Sequence, residues 1–204
     1  MKNKTRFGGS MFFELVLLYV LSNSCTKETV PQEVVKLGDT LQGGIVAYIL
    51  LPGDPGYDQK VTHGIIAGPK DSTQGLLPWS INDALIMGKQ ITGAVGTSIG
   101  TGLANTEAIV VVQGEGNYAA NFCFDLEYDG YSDWFLPSKD ELNILNDNAL
   151  YIGGFTYYPA ENYYWSSSEY NGLAWMQVIT PGFWNNSVLY PRDRQMHVRC
   201  IRYF

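Results

Sequence analysis

The strongest constraint on this chain lies in roughly its last fifty residues, where short aromatic and β-branched runs alternate with turn dipeptides. Residues 163–168, 174–180, 187–190 and 197–203 each have the length and composition of a strand. Asn171-Gly172 and Pro181-Gly182 separate three of them, and both are dipeptides that reverse a chain tightly. The pattern predicts an antiparallel C-terminal meander. Upstream, 44–51 is an apolar run bounded by Gly-Gly and Pro-Gly and reads as a strand, with a second short strand at 64–67. Residues 69–104 are rich in Gly, Pro, Ser and Thr and keep no period, apart from a short helical turn at 82–87.

Three short helices are expected between the early strands and the meander. Asn105 is the expected N-cap of a helix over 106–113. Asn117 precedes a second helix, in which Tyr118, Phe122 and Leu126 recur at helical spacing with Cys123 on the same broad face. Trp134-Phe135-Leu136-Pro137 is expected to be extended, because the residue before a proline avoids the helical region. Ser138 and Glu141 then form a capping box for a third helix, with Leu142, Leu145 and Ala149 facing inward. Helices in the middle and a meander at the end give an α+β class.

The N-terminus reads as a leader. Lys2, Lys4 and Arg6 precede an apolar stretch over 11–21 that Glu14 interrupts, which is too short for the roughly 20 apolar residues of a membrane span. Leu21-Ser22-Asn23-Ser24-Cys25 resembles a bacterial lipobox, in which Cys25 carries the lipid and becomes the mature N-terminus. The plainer alternative is a secretion signal with an incidental cysteine. The expected organisation is a signal peptide at 1–24, a lipidated tether at 25–37 and one domain at 38–204, exported and held at the outer membrane, on the cell surface or the periplasmic face. Without 1–24 the chain keeps ten basic and nineteen acidic residues, a formal charge of −9. Such a surface repels phosphate backbones, so nucleic acid is excluded as a partner. Lipidation of Cys25 leaves Cys123 and Cys200, which either pair or remain as two buried thiols.

Motifs for catalysis or metal binding are incomplete. The only histidines are His63 and His197, and His197 alternates with Arg199 and Ile201 as a sheet residue would. Gly96-Thr97-Ser98-Ile99-Gly100 spells the nucleophile elbow of hydrolases, but its flanks are loop rather than strand and helix. Ser166, Ser167 and Ser168 have no activating base nearby in sequence and are expected to satisfy strand-edge backbone groups. Asp125, Glu127, Asp129 and Asp133 with Gly130 approach a calcium loop, but Leu136 stands where the closing bidentate Glu belongs. No catalytic residue, metal ligand or cofactor is therefore assigned.

Three phrases, YDGYSDWFLPSKDEL at 128–142, YYWSSSEY at 163–170 and HVRCIR at 197–202, stand in a characteristic order. Together they resemble the C-terminal domain of the Legionella collagen-like protein family, and the resemblance spans about residues 38–204. That family is related in fold to C-type lectins and to formylglycine-generating, sulfatase-modifying enzymes. The resemblance implies a C-type-lectin-like domain, with Trp134, Leu136 and Pro137 beneath the third helix and Trp165 with the following serines starting the central sheet. It also implies a Cys123–Cys200 disulfide in the place of the long-range cystine of such domains. Enzymes of the sulfatase-modifying type rely on thiols, and none remains here if Cys25 is acylated and the other two are paired. Some related lipoprotein domains are diversified in this same meander by retroelements. Trp184-Asn185-Asn186 matches only part of the sugar-binding segment of calcium-dependent lectins, and no Glu-Pro-Asn loop accompanies it.

The expected function is binding rather than catalysis, of a glycan or a protein at the cell envelope, as in adhesion. The alternatives are an enzyme of the formylglycine-generating type and a structural module of an envelope or fimbrial assembly. The expected surface comprises Tyr170, Asn171, Trp184, Asn185, Asn186, Tyr190, Arg192 and Arg194, with Trp175, Gln177 and Phe183 in the same strands and turns. Tyr, Trp, Asn and Arg are residue types that binding surfaces favour. Trp165 and Trp175 are expected in the core. A one-residue slip in strand register would exchange the faces.

Overall fold

The computed structural model describes residues 34–69, 76–82, 85, 87, 91–157, 162–182 and 186–204. Its architecture is α+β, with two antiparallel sheets and a few short helices. The first sheet holds β1 (Thr40–Leu41), β2 (Gly44–Ile49), β3 (Gly64–Ala67) and β7 (Ile201–Tyr203), in that order across the sheet. Gln42 and Gly43 both take positive φ, 47° and 82°, which turns β1 directly into β2 with the twist a hairpin needs. The second sheet is the meander β4 (Tyr163–Tyr170), β5 (Leu173–Val178) and β6 (Ser187–Tyr190). Its first turn is the expected Asn171-Gly172 pair, with φ of 48° and 79°.

The expected fourth meander strand is divided between the two sheets. His197 makes a parallel bridge to Tyr164, with its N–H donating to Tyr163 O at 2.9 Å. A few residues later Ile201 pairs with Ala67 of β3 and exchanges backbone hydrogen bonds with Phe135. Residues 197–203 thus stitch the sheets together rather than extending one of them. Cys200 sits at this crossing, bonded to Cys123 with a Cα–Cα distance of 5.4 Å.

The helices are α1 (Gly102–Gln113), α2 (Ala119–Phe124), α3 (Lys139–Asp147) and α4 (Ala149–Ile152). The capping box forms as expected: Ser138 Oγ accepts from Glu141 N–H, and Ser138 N–H donates to Glu141 Oε2 at 2.7 Å. Leu142, Leu145 and Ala149 are fully buried. Two expected caps move. α1 starts at Gly102, one turn before the predicted start, because Asn105 serves a tertiary purpose. Its side chain donates to Gly96 O at 2.6 Å and accepts from Gly96 N–H at 3.2 Å. Position 102 admits only glycine, since a Cβ there would lie 2.2 Å from Glu141 Oε2. α2 begins after Tyr118, not Asn117.

Two apolar cores lie between these elements. One gathers Trp79, Trp134, Trp165, Ile109 and the disulfide, and the other gathers Phe135, Leu142, Leu145, Tyr164, Ile179 and Ile201.

Candidate functional site

Alternation along the meander decides which side chains face out. Met176 lies opposite Val188 and Ala174 opposite Tyr190, so Met176, Val188 and Tyr190 share one face. Tyr163 joins that face through its pairing with Val178. Trp175, Gln177 and Ser187 belong to the other face, which α3 covers. Ser187 Oγ lies 2.7 Å from Asn143 Oδ1 and 2.8 Å from Gln177 Oε1, and Lys139 Nζ stands 5.5 Å from the Trp175 ring centroid. Gln177 is fully buried and so leaves the surface expected for it, while Trp175, expected in the core, is half-buried against α3.

The Met176 face carries buried Trp165 and Ala174 and opens only at Tyr163, Val188 and Tyr190, beside the strap 191–197. Arg192 and Glu169 form a fully buried ion pair. The Glu169 carboxylate also accepts from Thr92 N–H at 2.8 Å, Thr92 Oγ1–H at 3.0 Å and Gly93 N–H at 2.7 Å. The Arg192 guanidinium lies 4.7 Å over the Trp79 ring and donates to Leu85 O at 3.1 Å. Burial pulls its pKa below the ordinary arginine value, and the Glu169 charge pulls it back up. The strap is fixed again at Met196, which exchanges backbone hydrogen bonds with Leu77, and at His197. Between these anchors Asp193, Arg194 and Gln195 stand exposed as a short polar arch.

Tyr163, Met176, Tyr190 and residues 193–196 line an open cleft of about 470 Å³. Met176 and Met196 are buried and supply its apolar floor. Tyr163 and Tyr190 retain 36% and 39% exposure, and charged and amide groups of the arch provide the rim.

The residues expected to bind are therefore dispersed. Tyr190 and Arg194 line the cleft. Tyr170 and Asn171 are exposed at the β4–β5 turn, at the opposite end of β4 from Tyr163. Asn186 is exposed and leads into β6. Arg192 must be reassigned: it is a buried structural cation, because the alternative is an unpaired Glu169 inside the core. Phe183, Trp184, Asn185 and Cys25 lie outside the described residues. Tyr163, Met176, Asp193, Gln195 and Met196 were missed. Period-two counting from Tyr190 and Ala174 reaches Met176, but the arch depends on a buried pair distant in sequence.

Ser166 donates to the carbonyl of Trp175 in β5, as expected of a strand hydroxyl, whereas Ser167 and Ser168 donate to the loop carbonyls of Pro137 and Gly96 and hold those loops to β4. Residues 91–97 ahead of Ser98 form no strand, so the geometry of a nucleophile elbow is not built. His197 stacks on Tyr164 at 5.1 Å. The acidic cluster disperses. Asp125 accepts from Asn121 at 2.7 Å, and Asp133 accepts from both Arg202 Nε and Nη2, at 2.6 and 2.9 Å. Those hydrogen bonds hold the Asp133 carboxyl below its ordinary pKa, against the opposing effect of desolvation. Among the described residues no group of three or more His, Cys, Asp or Glu is placed to hold a metal, and no helix is long and apolar enough to cross a membrane.

No protein-family model and no curated protein matches this chain.

Proposed function

We propose that this chain is an exported, lipid-anchored binding module with a C-type-lectin-like domain, and that its ligand, a glycan or a protein segment at the envelope, docks in the Tyr163–Tyr190 cleft. The observation that carries the reading is the exposed polar arch 193–195, held at both ends by buried anchors beside two half-exposed tyrosines. A site of this kind has its walls set before the ligand arrives, so little ordering free energy is lost on binding. Tyrosine rings offer flat apolar faces for a sugar ring, and the Asp, Arg and Gln of the arch offer donors and acceptors for its hydroxyls. The α+β architecture and the cystine between α2 and residue 200 support the lectin-like assignment. The same cystine, buried in the core, leaves Cys123 and Cys200 without the thiols that sulfatase-modifying chemistry uses.

A glycan array probed with residues 26–204, with and without calcium, tests the proposal. The expected result is selective binding that a Tyr163→Ala/Tyr190→Ala variant loses. Truncating one such anchor should cost about 1–2 kcal/mol, roughly 5–30-fold in Kd. Retained binding in the variant would place the site elsewhere. Silence across the array would exclude the arrayed sugars and direct the search to protein ligands.

A further inference from the structure

The helix α4 carries two exposed apolar side chains that the fold does not use. Ala149 and Ile152 are buried, whereas Leu150 and Tyr151 are 76% and 64% exposed. Tyr157, also partly exposed, donates its hydroxyl to Ala149 O at 3.3 Å and so widens the apolar area around this short helix. The chain enters the domain at the same place. A Cβ on Gly38 would lie 3.5 Å from Tyr151 O and 3.7 Å from Tyr151 Cβ, and Val34, four residues earlier, is itself exposed.

We infer that α4 is a membrane-docking surface, with Leu150 and Tyr151 seated in the interfacial region of the bilayer that holds the lipid anchor. The inference rests on the reading of Cys25 as the lipidated residue. Only eight residues separate Cys25 from Val34, and the nine Cα–Cα steps between them span at most about 30 Å when extended. That leash is shorter than the roughly 40 Å breadth expected for a domain of this size, so the side where the chain enters faces the lipid. An exposed Leu-Tyr pair on that side has the chemistry of an interfacial anchor, an apolar body with a hydroxyl left at the headgroups. Charge does not supply the attraction. The mature chain is acidic, exposed Asp147 precedes α4, and the chain entry carries one charge of each sign, Lys36 and Asp39, the latter accepting from the Lys36 backbone N–H. Docking is therefore apolar and insensitive to salt, unlike the adsorption of a basic protein to anionic lipid.

The full chain, purified with its native N-terminus and reconstituted in phosphatidylethanolamine–phosphatidylglycerol vesicles, permits a direct test. Leu150→Cys is labelled with an environment-sensitive fluorophore, and Val111→Cys, exposed on α1, serves as the comparison site. The expected result is a blue shift and quenching by spin-labelled lipid at position 150 alone, unchanged by high salt. An acylated protein whose probe at 150 stays in water, or whose probe at 111 is quenched instead, would overturn the docking surface and leave the anchor standing. An N-terminal peptide whose mass shows no acyl group would remove the anchor, and the docking proposal with it.

Discussion

Individual residues in this domain gain their meaning from partners distant in sequence. Arg192 looks from sequence like a surface binding residue and is instead the buried counter-ion of Glu169. Removing one member of such a pair leaves the other charged in the core, a cost of about 3–5 kcal/mol. Urea unfolding should therefore find Glu169→Gln less stable by an amount of that order. A change under ~1 kcal/mol would mean that the pair does not hold the strap. Asp133 gives a pH prediction. Its folded pKa lies below the ordinary 3.8, so its pairing with Arg202 stabilises the fold above that value and is lost as the pH falls through the lower folded value. Because the Asp133 side chain is 59% exposed, solvent screening limits the contribution to at most about 1 kcal/mol. Asp133→Asn should lower stability slightly at neutral pH and converge with wild type in strong acid. Parallel stability curves at every pH would contradict this.

At the scale of elements, what was legible was what is local. The capping box at Ser138 and Glu141 and the Asn171-Gly172 turn each depend on a few consecutive residues, and both form as expected. The start of α1 depends on Gly102 fitting against Glu141 and on Asn105 clamping Gly96, contacts that sequence spacing does not report. The division of 197–203 between two sheets follows in the same way from Phe135 and Tyr164, distant partners that claim successive parts of one strand-like run. The candidate site was half legible: Tyr190 and Arg194 follow from composition, whereas Met176 and Tyr163 follow only from strand register. Ser138→Ala should cost more than the ~1 kcal/mol of an ordinary cap, since its hydroxyl also donates to Ser98 O at 2.9 Å. Chemical denaturation should place the loss near 2 kcal/mol by adding one buried hydrogen bond to the cap, and a loss below ~0.5 kcal/mol would contradict the double role.

For the molecule as a whole, the cystine closes 77 residues and joins α2 to the sheet crossing at residue 200. Loops of that length contribute on the order of 4 kcal/mol in the chain-entropy account, so the reduced domain should melt well below the oxidised one. The strap, the meander and this crosslink together form one scaffold under the cleft, with the 193–195 arch its exposed part. The most direct test of that account compares ligand affinity in three variants: Tyr190→Ala and Arg194→Ala in the cleft, and Tyr170→Ala at the β4–β5 turn. The account predicts that both cleft variants weaken binding while Tyr170→Ala binds as wild type. Binding lost only in Tyr170→Ala would place the ligand at the hairpin tip and contradict it.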